Sequence, residues 1–293
     1  MRFKKIIKRI FKILLFSFLF LLVLIAGLII ALQFNSTQNF ISQKVINYVS
    51  GKTHSVITLK EINISFPKSI VLKDIFMEDQ NHDTLLFAHR LLIDIDMMKL
   101  FSSVIELNNV SIESATAHIN RSMADSSFNF DFIVNAFVPS NVSTSNSSAK
   151  ASTAFSLKTV SFENVNFIFS DQVSGSDMNF SIGSLETSFK DFNLDKSRYL
   201  LNDIVLKNSN ISIVESAVAI ADTSSSVAFD IGFSNIDLTS INFLYQTPEQ
   251  TLKSVIGRGV VKVDKINLID QDIKINKFNL ENSSLYFAFN KID

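Results

Sequence analysis

The sequence predicts a mostly β chain carried by one N-terminal transmembrane helix. A short amphipathic helix follows the span, and then long strands, each with one apolar face, joined in a sheet. Three observations carry that reading. Ile13 to Leu32, ILLFSFLFLLVLIAGLIIAL, is twenty residues without a charge. From Ser55 onward almost every segment alternates apolar with polar residues, the period of a strand with one apolar face. The chain also holds 28 Phe but no Trp and no Cys, so its apolar faces are built from rings without polar atoms.

The segments follow in order. Residues 1–12 carry Arg2, Lys4, Lys5, Lys8, Arg9 and Lys12 and no acid. Residues 13–32, as a helix, reach about 30 Å, the depth of a bilayer's hydrocarbon core. Positive flanks stay on the cytoplasmic side, so the N-terminus is expected inside and the remainder across the membrane. A cleaved signal peptide is the competing reading. Its apolar run is shorter, about 7–15 residues, and ends in an A-x-A-like site, which ALQFNSTQ does not offer.

In residues 33–51, Ile41, Val45, Tyr48 and Val49 form a helical stripe. Asn35 or Ser36 is placed to cap that helix and Gly51 to end it. Just outside a membrane it lies in the interface or plugs the end of the following sheet.

Residues 52–138 form a first β region. VITLKEINISF, SIVLKDIFMED and SVIELNNVSIES alternate, and EDQNHDT is turn chemistry. FNFDFIVNAF, from Phe128 to Phe137, alternates as well and is expected as a strand with Phe128, Phe130 and Phe132 on its apolar face. Residues 139–154, rich in Ser and Asn, read as a loop. Residues 155–293 form a second β region.

A unit recurs through both regions: apolar-x-apolar, two polar residues, apolar-x-apolar, then polar residues and another strand. It begins at Ile105 (IELNNVSIESATAHI), Phe155 (FSLKTVSFENVNFIF), Tyr199 (YLLNDIVLKNSNISI) and Ile273 (IKINKFNLENSSLYF), with weaker copies in VITLKEINI and IVLKDIFME. The starts are 50, 44 and 74 residues apart, so no fixed-rung solenoid is implied. Within a unit Leu107 and Val110 are three residues apart. That breaks the two-residue period and would turn later side chains to the other face. A bulge at the polar pair restores them.

Catalytic chemistry is sparse, and no enzyme is expected. His54, His82, His89 and His118 have no metal-ligand spacing. GRGVVK lacks the third glycine of a dinucleotide loop, and no GxSxG occurs. Asp94 and Asp96 read as a polar outer face. Asp79, His82 and Asp83 read as a hairpin turn before a cation site. Neither cofactor nor metal is expected. Of 27 bases, six precede residue 13; set against 28 acids, this leaves seven net negative charges on the remainder. No basic stripe points to nucleic acid.

The apolar span, TQNFISQKVINYVSGKT, the run from ITLKEINISF to MMKLF, IELNNVSIESATAHINR, FNFDFIVNAF, and the later FSLKTVSFENVNFIFSDQ and FNLDKSRYLLNDIVLKNSNISI together resemble the N-terminal region of TamB-like proteins of the Bacteroidota. These belong to the wider AsmA-like group. The resemblance implies a single-pass inner-membrane protein with its remainder periplasmic. It implies an elongated, curved, taco-like sheet, rich in antiparallel pairs, whose apolar groove passes phospholipid towards the outer membrane, or an assembly factor that binds outer-membrane proteins by strand addition. Such relatives are several times longer, so the chain reads as a shortened copy or a fragment. The groove candidates are Phe128, Phe130 and Phe132; Phe162, Phe167 and Phe169; Ile211 and Ile213; and Leu285 and Phe287. Partners implied are phospholipid acyl chains, the membrane through residues 13–32, and an outer-membrane β-barrel protein. An ordinary sandwich core is the competing account of the same phenylalanines.

Overall fold

The computed structural model describes residues 2–102, 104–124, 126–137, 154–193, 197–216, 230–267 and 272–289. The predicted Ser/Asn-rich loop falls outside them, except for Ala154.

Helix α1 runs from Arg2 to Leu32, so the basic segment and the apolar run are one helix. Its stretch Phe11–Leu32 has a mean hydropathy of 3.2, and among the described residues nothing else covers it. It is long and apolar enough to cross a membrane.

Helix α2 spans Asn35–Thr53 and departs from the sequence reading at both ends. Its N-cap is Phe34, which makes no side-chain cap, and it passes through Gly51 to stop at His54 in the left-handed conformation. Tertiary hydrogen bonds move the stop. Gln80 donates to the Thr53 carbonyl at 3.1 Å, Ser55 Oγ donates to the Glu78 carbonyl, and Ser50 Oγ donates to the Ser55 carbonyl at 2.6 Å. The stripe is also corrected. Gln38, Ser42 and Thr53 are buried, whereas Val45 and Tyr48 are exposed. The helix packs on the first strand, as an end plug would.

The strands are β1 (Ile57–Ser65), β2 (Ser69–Glu78), β3 (Thr84–Ile95), β4 (Val104–Arg121), β5 (Ala154–Asp171), β6 (Ser176–Asn193), β7 (Arg198–Glu215), β8 (Asp230–Gln246), β9 (Gln250–Asn267), β10 (Asp272–Glu281) and β11 (Ser284–Phe289). They lie in one open sheet in chain order, with β10 and β11 end to end along β9. Both predicted β regions belong to it. After β1, the sheet is three antiparallel meanders: β2–β4, β5–β7 and β8 to β10/β11. Consecutive meanders meet through parallel pairs, β4 with β5 and β7 with β8. A parallel junction needs a long return connection. Residues 122–153 and 216–229 provide it.

FNFDFIVNAF is not a strand. Phe128 makes a single bridge to Arg121, and Asp131–Phe137 forms helix α3. The alternation is overridden by polar anchors that fit a turn and a helix start. Asp131 Oδ2 accepts the Phe128 N–H at 2.8 Å, closing the turn that leads into α3. Asn129 donates to the His118 carbonyl at 3.0 Å, and its own side-chain oxygen accepts the Asn120 N–H at 3.0 Å.

The expected bulge is present. Strand pairings step over Asn108, Lys158, Asn202 and Asn276, all at the polar pairs of the repeated unit. They also step over Ser234, which marks a fifth copy, IGFSNIDLTSINFLY from Ile231, that the sequence reading passed over. Six residues beyond each stepped-over position lies a second irregularity. Ser114, Asn164, Asn208, Ser240 and Asn282 have φ of 52°, 54°, 51°, 57° and 51°, and Asp74 in β2 has 51°. The register sets these left-handed residues side by side, with His89, Gly183 and Gly257 of the oppositely directed strands between them and Lys60 of β1 beside Asp74 at one end. They draw one crease across the whole sheet.

The crease keeps apolar residues three apart on one face. Ile112 and Ala115 flank it in β4, as do Phe162 and Val165 in β5. The inside of such a bend is crowded, which favours small side chains there. Ala88, Ala115 and Ser209 are only 3%, 5% and 1% exposed, although no second sheet covers them among the described residues. Ile75, Ile112, Phe162 and Ile182 pack around Ala88, Ala115 and Val165.

Candidate functional site

The apolar face inside the bend is ordered in rows. Cross-strand partners project to the same face, so register alone traces each row. One runs Ile62, Leu72, Leu91, Ile112, Phe162, Leu185, Leu206, Leu238, Gly259, Leu280, crossing ten strands. Beyond the crease a second runs Leu86, Ala117, Phe167, Phe180, Ile211, Phe243, Ser254, Leu285. Two residues further, a third runs Ile119, Phe169, Met178, Ile213, Tyr245, Leu252, Phe287. The Phe167 and Phe180 rings lie 5.9 Å apart. Towards the bulge line, Phe192 contacts Phe155, Phe189 and Tyr199 at 5.6, 5.1 and 5.2 Å between centroids.

Seven of the ten sequence candidates therefore share one face: Phe162, Phe167, Phe169, Ile211, Ile213, Leu285 and Phe287. Phe128 and Phe130 reach its margin by a turn instead of a strand. Their rings stack at 5.2 Å, and Phe128 lies 6.2 Å from Phe169. Phe132 sits apart in α3, beside Gln80, Asn81 and Asn120. The sequence reading missed Leu185, Leu206, Phe180, Leu238 and Phe243. The first three fall where β6 or the repeated unit already alternates. The last two needed the fifth copy, whose pattern was present but unread.

One end of the sheet is tied by buried polar groups. Arg121 donates from Nε and Nη2 to the two Asp171 oxygens at 2.7 and 2.5 Å. Asp171 also accepts the Val173 and Ser174 N–H groups and the Ser174 hydroxyl. Burial by itself would raise the Asp171 pKa, but these bonds outweigh it and hold the carboxyl well below the usual carboxylate range. Asp79 is 2% exposed. Its Oδ1 accepts the Asn81 and Asp83 N–H groups, as the turn reading of EDQNHDT requires, and Oδ2 accepts from Asn129. Asp94 serves Lys68 and Asn108, and Asp96 accepts the Met98 N–H.

A helix able to span a bilayer, joined to a single bent sheet whose apolar face no second sheet covers among the described residues, defines a class of membrane-attached open-sheet proteins. The chain matches the AsmA family model over residues 7–226, most of its length, and belongs to the AsmA family. No curated protein matches it.

Proposed function

We propose that this AsmA-family chain is a TamB-like, inner-membrane-anchored carrier whose apolar face takes phospholipid acyl chains on their way to the outer membrane. In this reading the N-terminus is cytoplasmic and everything after α1 is periplasmic. The observation that carries it is the continuity of the three rows: large apolar side chains on nearly every strand of one face, with no second sheet over them among the described residues. An uncovered apolar surface of that extent calls for a partner. Hydrocarbon supplies one without hydrogen-bonding demands, each buried methylene contributing about 0.8 kcal/mol.

A second reading rests on a different feature. Among the described residues no strand pairs with the outer side of β10 and β11, which carry exposed Phe278, Tyr286 and Phe289, and an exposed strand edge can receive another chain's strand. That suits an assembly factor for outer-membrane proteins.

Photoreactive residues placed at Phe167 and at Tyr286 in cells separate the two. Lipid adducts at position 167 are expected. Polypeptide adducts at 286, with none of lipid at 167, favour the assembly factor.

A further inference from the structure

Helix α2 is turned inside out for a helix on a water-facing surface. Its buried side chains are polar: Gln38, Ser42 and Thr53. Two of them find partners close by, Gln38 Nε2 donating to the Leu32 carbonyl at 3.0 Å and Thr53 Oγ1 to the Val49 carbonyl at 2.9 Å. The aromatic side chains point outward. Phe40 and Tyr48 are 61% and 60% exposed. Phe40, Lys44, Tyr48 and Lys52 stand four residues apart, a spacing that keeps all four on one side of a helix. Lys44 Nζ lies 5.5 Å over the Phe40 ring. The stripe continues onto α3, where the ring of exposed Phe137 is 6.3 Å from that of Tyr48.

Charge and tether select what covers this stripe. Helix α2 carries two lysines and no acid, whereas the chain beyond residue 12 has seven net negative charges. Lysines set between aromatic rings suit an anionic bilayer surface. The ammonium groups reach phosphate, while the stems and rings lie at the edge of the hydrocarbon. The position agrees with the chemistry. Only Gln33 and Phe34 separate α1 from α2, so Asn35 lies within about 10 Å of Leu32, where the apolar helix ends. A headgroup layer is about 5–8 Å deep on each side of the hydrocarbon.

We propose that the exposed side of α2 rests on the headgroups of the same bilayer that α1 crosses, with Lys44 and Lys52 on anionic phosphate. This rests on α1 spanning a membrane, and not on what the apolar face of the sheet takes. The contact gives the sheet a foot. A single span leaves the attached sheet free to tip; a helix that lies on the bilayer on one side and packs on β1 with the other fixes the tilt.

The chain has no Trp, so a single introduced one reports alone. Full-length chains with Leu24→Trp, Phe40→Trp, Tyr48→Trp or Lys207→Trp are reconstituted in vesicles of phosphatidylethanolamine and phosphatidylglycerol. The vesicles also hold phosphatidylcholine brominated either near the headgroup or near the chain end. Position 24 should be quenched most by the deep bromine, and position 207, exposed on β7, by neither. Positions 40 and 48 should both be quenched, more by the shallow bromine. Lys44→Glu with Lys52→Glu should lower the quenching at 48 several-fold, and unchanged quenching there would overturn the anionic contact. Quenching at 24 with none at 40 and 48 overturns the foot and leaves the span. Quenching at 40 alone means that α2 rises out of the surface, and overturns the foot as well. No quenching at 24 removes the span and the foot with it.

Discussion

A Cβ on Gly183 would stand 2.4 Å from the carbonyl oxygen of Asn208. Asn208 is left-handed, and its carbonyl turns towards the neighbouring strand where the sheet creases. Gly183→Ala should therefore force the two strands apart and destabilise the protein by about 1–3 kcal/mol, as overpacking does. Denaturant unfolding measures it. A variant as stable as the wild type would mean that the crease is looser than it stands here.

The left-handed residues themselves separate conformation from contact. Asn164 is exposed, so its side chain contributes little burial. Asn164→Gly removes the cost of φ near 54° and should leave stability within about 1 kcal/mol. Asn164→Val places a β-branched residue in that conformation and should cost about 1–3 kcal/mol. Equal effects of the two substitutions on the unfolding midpoint would contradict the account.

Much of the sheet was legible from its two-residue period, and the bulge from the three-residue step between Leu107 and Val110. The crease was not. Its second step is masked wherever the residue after it is small or polar, as with Ala115 and Ser209, which the inside of the bend demands. FNFDFIVNAF misled for the opposite reason: its alternation is real, but the hydrogen bonds of Asn129 and Asp131, invisible in a periodicity, fix it as turn and helix. Seven of the candidates nonetheless lie on one face, because they fall in the regular parts of strands. Only Phe132 was carried away from it.

Arg121 and Asp171 should act as one buried unit. Arg121→Met leaves the Asp171 carboxylate, 4% exposed, without its countercharge and should cost about 3–5 kcal/mol. The pH dependence follows from the direction of the Asp171 shift. Its folded pKa lies below the unfolded value of about 3.9, so its contribution is complete above that value and is lost as pH falls below it. Wild-type stability should thus drop on acidification below about pH 4, and Asp171→Asn should flatten that part of the profile. Superimposable acid limbs in urea unfolding would refute the assignment.

Topology is open to a direct check. An alkaline phosphatase fused after Ser55 should be active, since the enzyme works only outside the cytoplasm and α1 should carry the fusion across. Activity confined to a cytoplasmic reporter at the same position would reverse the orientation.

The claim that acyl chains occupy the inside of the bend is tested most directly at Phe167 and its cross-strand partner Phe180. A photoreactive residue at 180 reports lipid adducts in the wild-type background and with Phe167→Asp. A carboxylate there costs several kcal/mol against hydrocarbon but can keep water on an open face. The account predicts folded protein in both backgrounds and loss of the lipid adduct in the Phe167→Asp background. Unfolding of the variant, together with no lipid adduct in the wild type, would contradict it and make the phenylalanines a closed core.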